Sequence, residues 1–176
     1  MTTAAKSGES LIGRVAQTIH VISATWVFFL AIIIFIDVSG RVLFSAPLLG
    51  AAEIIKNSVV SITFLQLPLA IYRGGMIRTT VIYDALGPGG RRGLRTLAGL
   101  LGVAFFIATA YSSWRPFLDA WAIGEYEGEG ALRVPTWPVR GLVVVTSAFS
   151  ALVYLYLMVL DWTGRLEPQD DVIVGV

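Results

Sequence analysis

The sequence predicts an all-α membrane protein of four transmembrane helices, with a short interfacial helix in the second loop. Four apolar stretches, each about long enough to cross a bilayer, fill most of the 176 residues. Hydrophobic residues make up 56% of the chain and charged residues 14%, with a mean hydropathy of +0.75. One water-soluble core of this size could not hide that much apolar surface. The segment joining the second stretch to the third, taken with the first residues of the third, carries Arg73, Arg78, Arg91, Arg92 and Arg95 against a single acid, Asp84, and that asymmetry sets an orientation.

The spans fall at 19–36, 54–72, 94–114 and 139–160. At about 1.5 Å rise per residue, each covers roughly the 30 Å of hydrocarbon. The connections between them run to no more than about 25 residues, so the whole of 1–176 is expected to be one transmembrane domain. Lys6 and Arg14 precede the first apolar run in the manner of a signal peptide, but that run is longer than a usual signal core, and Pro47 follows the only suitable small-residue site, Ser45-Ala46. A retained first helix is expected. In the second loop, residues 78–86 are too short to span and too apolar to float free. They end at Gly87-Pro88-Gly89-Gly90 with basic residues on both sides, the pattern of a helix lying against anionic headgroups.

Orientation follows from counting Lys and Arg. With the N-terminus inside, the inner segments hold Lys6, Arg14, Arg73, Arg78, Arg91, Arg92, Arg95 and Arg165, and the outer segments hold Arg41, Lys56, Arg115, Arg133 and Arg140. Both termini are therefore expected in the cytoplasm. Trp114 and Trp137 bound the third and fourth spans outside and Trp162 follows the fourth inside, as an aromatic belt requires. Small residues at helical spacing, Ala98 with Gly102, Ala104 with Ala108 and Ser147 with Ala151, let backbones approach closely, and internal packing of the third and fourth spans is the expected use.

Ionisable groups near membrane depth are functional candidates. Asp37 and Arg41, four apart, share a helix face at the outer end of the first span, and Glu53 and Lys56 begin the second in the same layer, with Pro47 and Gly50 between the two pairs. Either all four are interfacial ion pairs that end helices, or they hold a partner protein or organise a re-entrant bend.

Chemistry is narrowly bounded. The absence of cysteine excludes disulfides, thiolate metal sites and c-type haem attachment. His20 is the only histidine, so paired-histidine haem ligation and zinc-protease sites are impossible within this chain. There is no phosphate-binding P-loop and no nucleophile elbow. The mid-span polar inventory is Ser61, Thr63, Gln66, Thr109, Ser147 and Ser150, with Pro68 as the one kink candidate. That is too little for an ion or substrate site. No catalysis, cofactor, metal or nucleic-acid partner is expected, and the residues point to an accessory or scaffold subunit. A self-sufficient small exporter or channel and the membrane anchor of a redox complex are the alternatives.

Asp37, Arg41, Pro47, Gly50 and Glu53 are set in a D-x-x-x-R…P-x-x-G-x-x-E pattern that resembles that of the small membrane subunit, DctQ type, of tripartite ATP-independent periplasmic (TRAP) transporters. Tyr72-Arg73-Gly74-Gly75-Met76-Ile77-Arg78-Thr79 is similar to its R-x-G-x-H-I-R-V stretch, and Pro135, Trp137 and Arg140 to its I-P-x-W-x-x-R. Met76 stands where His is frequent and Thr79-Thr80 where Val-Asp is, so neither the imidazole nor the acid is chemically required here.

The resemblance implies a bacterial inner-membrane protein bound to a much larger membrane subunit that carries the sodium and substrate sites and moves like an elevator. A separate periplasmic receptor would capture an organic anion and dock outside, and the small subunit would brace the fixed scaffold. On that reading the outer acids Glu125, Glu127 and Glu129 are candidates for receptor docking. Asp37, Arg41, Pro47, Glu53 and Lys56 are candidates for helix-end or subunit contacts. Arg73, Arg78, Arg91, Arg92, Arg95 and Trp137 are candidates for contact with membrane lipids.

Overall fold

The computed structural model describes residues 10–46, 48–73, 88–128 and 133–163. Within them lie helices α1 (Leu11–Phe44), α2 (Ala51–Tyr72), α3 (Pro88–Ile123) and α4 (Trp137–Trp162), with an antiparallel hairpin of β1 (Tyr126–Glu127) and β2 (Val134–Pro135) between the last two. All four helices are long and apolar enough to cross a membrane. The helical residues 78–86 expected in the second loop lie outside the described residues.

Two helices greatly exceed the hydropathic spans. α1 has 34 residues and α3 has 36, about 51 and 54 Å at the usual rise, whereas α2 and α4 stay within three residues of expectation. Hydropathy marks only the length that sits in hydrocarbon. The backbone continues as helix through the headgroup layers because nothing there breaks it until a cap is reached.

The caps are identifiable. Ser10 opens α1, its Oγ accepting from the Gly13 amide at 3.2 Å. Ser45 ends it in the left-handed conformation at φ 49°, and the Ala46 amide donates back to the Gly40 carbonyl at 3.1 Å, closing the last turn. A Cβ at residue 40 would stand 2.7 Å from the Ala46 carbonyl oxygen, so this turn requires glycine. Gly50, at φ 80°, starts α2. Pro88 occupies the first turn of α3 and Pro138 that of α4, where the missing amide hydrogen has no intrahelical use.

Packing orders the helices α1, α2, α4, α3. α2 lies between α1 and α4, α4 lies against α3, and no other pair of helices shares an interface of comparable extent among the described residues. Burial follows that order. In the most apolar window of each helix, 11% of residues are buried in α1 and in α3, against 28% in α2 and 33% in α4. The buried cluster of Ile71, Phe106, Ala151 and Val153 draws on the three helices α2, α3 and α4, with Ile12 of α1 packed beside it.

Glycine fits the α3–α4 seam. A Cβ at Gly102 would meet the Tyr154 ring at 2.7 Å, and one at Gly141 would meet the Phe117 ring at 2.8 Å. Ser147 and Ala151 are buried in α4. Internal packing therefore accounts for Gly102, Ser147 and Ala151, but Ala98, Ala104 and Ala108 sit on the exposed side of α3. The 100° helical step turns Ala104 and Ala108 away from the side on which Gly102 meets α4.

Candidate functional site

No group of three or more His, Asp or Glu side chains able to hold a metal occurs among the described residues. Polar structure is concentrated at the two ends of the helices, one holding the hairpin and the other rich in arginine.

At the hairpin end Asp37 is buried, its Oδ2 lying 2.8 Å from the half-exposed Arg41 guanidinium. Its Oδ1 accepts the Leu48 amide at 2.9 Å, so one carboxylate neutralises a neighbouring turn and ties the following segment back onto α1. The expected Asp37–Arg41 pair is present, and the same carboxylate holds the segment that follows α1. Lys56 does not pair with Glu53. It reaches the Glu127 Oε1 at 3.0 Å, 71 residues on, which fastens β1 to the second turn of α2. Pro47 lies outside the described residues.

Glu125 binds Arg140 at 2.8 Å, and the same guanidinium donates to the Pro116 carbonyl at 3.0 Å. The Thr136 amide and hydroxyl both donate to the Glu125 carbonyl. Arg133 stacks over the Tyr126 ring at 4.5 Å, and the Trp121 and Trp137 rings meet edge-on, 4.5 Å apart. Hairpin, ion pairs and aromatic contacts thus make one ordered cap over α3 and α4. Glu129 lies outside the described residues.

At the arginine-rich end the Arg95 guanidinium clasps both oxygens of Asp161, at 2.9 and 3.2 Å. Asp161 is buried and the sequence reading missed it: 66 residues separate the partners, and no local spacing reveals such a pair. The Trp162 indole donates to the Thr96 hydroxyl at 3.1 Å, and Arg73 donates to the side-chain Oε1 of Gln17 on α1 at 2.8 Å. Arg92 is exposed. Arg78 and the side chain of Arg91 lie outside the described residues.

Between the two ends the buried polar residues are small. Ser23 donates to the Ile62 carbonyl at 3.3 Å and the Trp26 indole to Ser58 at 3.1 Å, joining α1 to α2. The buried hydroxyls of Ser147 and Ser150 bond to no described residue, so size rather than polarity is what these positions supply. The end of α1 with its Asp37–Arg41 pair, and α2, α3 and α4 in full, fall within the reach of one family model. That model, the DctQ component of tripartite ATP-independent periplasmic transporters, matches residues 30–164. The chain belongs to the DctQ family.

Among curated proteins, this DctQ chain is similar to the ectoine TRAP transporter small permease protein of Halomonas elongata, with 28% identity over 129 residues. The match covers 73% of this chain and 66% of that protein, so the chain aligns with just under two thirds of the relative's length. The DctQ match spans the Asp37 bend, the hairpin cap and the Arg95–Asp161 clasp alike.

Proposed function

We propose that this chain is the scaffold-forming small membrane subunit of a sodium-coupled, receptor-dependent TRAP transporter that takes up organic anions of the carboxylate class. The arginine-rich end would face the cytoplasm and the hairpin end the periplasm, across the bacterial inner membrane. The open order α1, α2, α4, α3 carries the reading. A pore or an enclosed solute site needs helices closed into a ring, and this chain presents a row whose outer members are mostly uncovered. Nor do the described residues place an ionisable group at mid-depth, where a proton or ion relay would need one. Sodium coupling and solute selection are accordingly assigned to the large subunit, and this chain to bracing it.

α2 offers the large subunit a suitable face. Ala52, Val59, Thr63 and Ala70 form an exposed stripe, and Gln66 on its flank hydrogen-bonds to no described residue. Thr63 returns its hydroxyl to the Val59 carbonyl, but a free carboxamide facing lipid is costly. The small residues also admit a second helix closely. At the other surface, Glu125 and Glu127 shape the cap, and its rim, with exposed Tyr126 and Arg133, is where the periplasmic receptor would touch.

Reconstitution tests the assignment. Liposomes holding this chain alone should take up no solute, and sodium-driven uptake should appear when the large subunit and receptor are added. Thr63→Trp with Ala70→Leu should leave the chain folded and lower its co-purification with the large subunit. Solute movement by the chain alone would overturn the scaffold reading in favour of the small-exporter alternative.

A further inference from the structure

A groove of about 440 Å³ lies between the arginine-rich ends of α3 and α4. Gly89, Arg92, Gly93 and Thr96 form its upper part, Leu97 and Leu100 its floor, and Trp162 one wall. Three features define it. Arg92 is exposed at the lip and pairs with no described acid; Asp161, the nearest carboxylate in sequence on α4, is already clasped by Arg95. A Cβ built at Gly89 or at Gly93 would meet nothing within 4 Å, so the backbone lies open there. The amides of α3's first turn have no earlier turn to bind, which adds partial positive charge at the same end. The Trp162 indole N–H is committed to Thr96, leaving the flat of the ring to line the wall.

From Gly89 to Leu100 the groove descends roughly 16 Å along α3. Over that distance its lining passes from guanidinium and bare backbone to leucine. Arginine and tryptophan favour the headgroup level, which puts the top of the groove there and its leucine floor in the hydrocarbon. A soluble anion would satisfy only the top of such a site and a packed apolar helix only the bottom. We propose that this groove is a binding site for one anionic phospholipid of the adjoining leaflet. The headgroup phosphate would lie against Arg92 and the glycine backbone, with an acyl chain along Leu97, Leu100 and Trp162. A site of this kind would anchor the end of α3 at a fixed depth, whatever solute the transporter carries.

The test uses the full-length chain in detergent, with native mass spectrometry after adding phosphatidylglycerol or phosphatidylcholine. A phosphatidylglycerol adduct retained in preference to phosphatidylcholine is expected. Arg92→Gln should reduce it about five-fold, the effect of one arginine near a membrane surface. Gly93→Leu fills open space and has no clash to unfold the protein, so it should remove the adduct while leaving thermal unfolding unchanged. Equal retention of the two lipids, or adducts unaffected by both substitutions, would overturn the proposal. Displacement of the lipid by millimolar inorganic phosphate would overturn it too, by showing a site for free anion. Loss of the adduct when the large subunit is bound would identify the groove as a protein seam and exclude a lipid there.

Discussion

The α1–α2 pair and the α3–α4 pair are both antiparallel helix pairs, yet they are held in different ways. α1 and α2 are joined by single hydrogen bonds spread along their length, Ser10 with Tyr72, Ser23 with Ile62 and Trp26 with Ser58, with one close glycine approach, Gly13 against the Tyr72 ring, at one end. α3 and α4 interlock glycine against aromatic ring at Gly102 and Gly141 and are clasped by an ion pair at each end, Arg95–Asp161 and Arg140–Glu125. Between membrane helices there is no hydrophobic force to exploit, because lipid tails are as apolar as leucine. Close packing and buried polar contacts must do the holding. The α3–α4 pair uses both, and it carries the hairpin cap, so it is the stiff half of the molecule.

The largest test of that contrast is Arg95→Ala. It leaves Asp161, only 8% exposed at its side chain, charged and without its clasp. Breaking a fully buried pair costs about 3 to 5 kcal/mol. Arg95 is a third exposed, so about 2 to 3 kcal/mol is expected after discounting for solvent. Reversible unfolding of the purified chain in mixed micelles measures it. A loss below 1 kcal/mol would mean that water already screens the pair and that packing alone stiffens this half.

Gly102→Leu comes next, at about 1 to 3 kcal/mol, because it drives a side chain into the Tyr154 ring. The added double variant with Tyr154→Ala should recover much of the loss if the seam is an interlock of these two positions. Independent, additive losses would show that Gly102 matters for some other reason. At the opposite end of the molecule, Arg41→Ala should cost only about 1 kcal/mol. Arg41 is 53% exposed, and Asp37 keeps the Leu48 amide. If Arg41→Ala matches Arg95→Ala, the two halves do not differ in their end clasps.

These same residues mark what a sequence can disclose. The four spans were legible because a lipid-crossing helix must be apolar for about 20 residues, and Asp37–Arg41 was legible because i and i+4 share a face. Lys56–Glu127 and Arg95–Asp161 were not, since each depends on how separate helices are laid side by side. The order α1, α2, α4, α3 was equally hidden: hydropathy is nearly blind to which apolar face meets protein and which meets lipid. Even the small-residue pairs divided, Gly102 facing α4 and Ala104 with Ala108 facing outward. The hairpin was hidden for another reason, its strands being two residues each and held by side-chain pairs rather than by any alternating pattern.

The smallest effect expected belongs to the α1–α2 hydrogen bonds. Ser23→Ala removes a donor to the Ile62 carbonyl, an oxygen that already lies within the α2 backbone ladder, so no acceptor is stranded. Trp26→Phe leaves the Ser58 hydroxyl free to turn back onto its own helix, as Ser61 does onto Asn57. Interhelical hydrogen bonds in membranes average about 0.6 kcal/mol, so each substitution should cost roughly that and the pair about twice as much, read from the same unfolding transition. Losses above 2 kcal/mol for either would invert the comparison and make α1–α2 the half locked by polar contacts. Near-neutral results would instead place the hold on α1 in close approach at Gly13, where a Cβ would stand 2.8 Å from the Tyr72 ring, and in the bend fixed by Asp37.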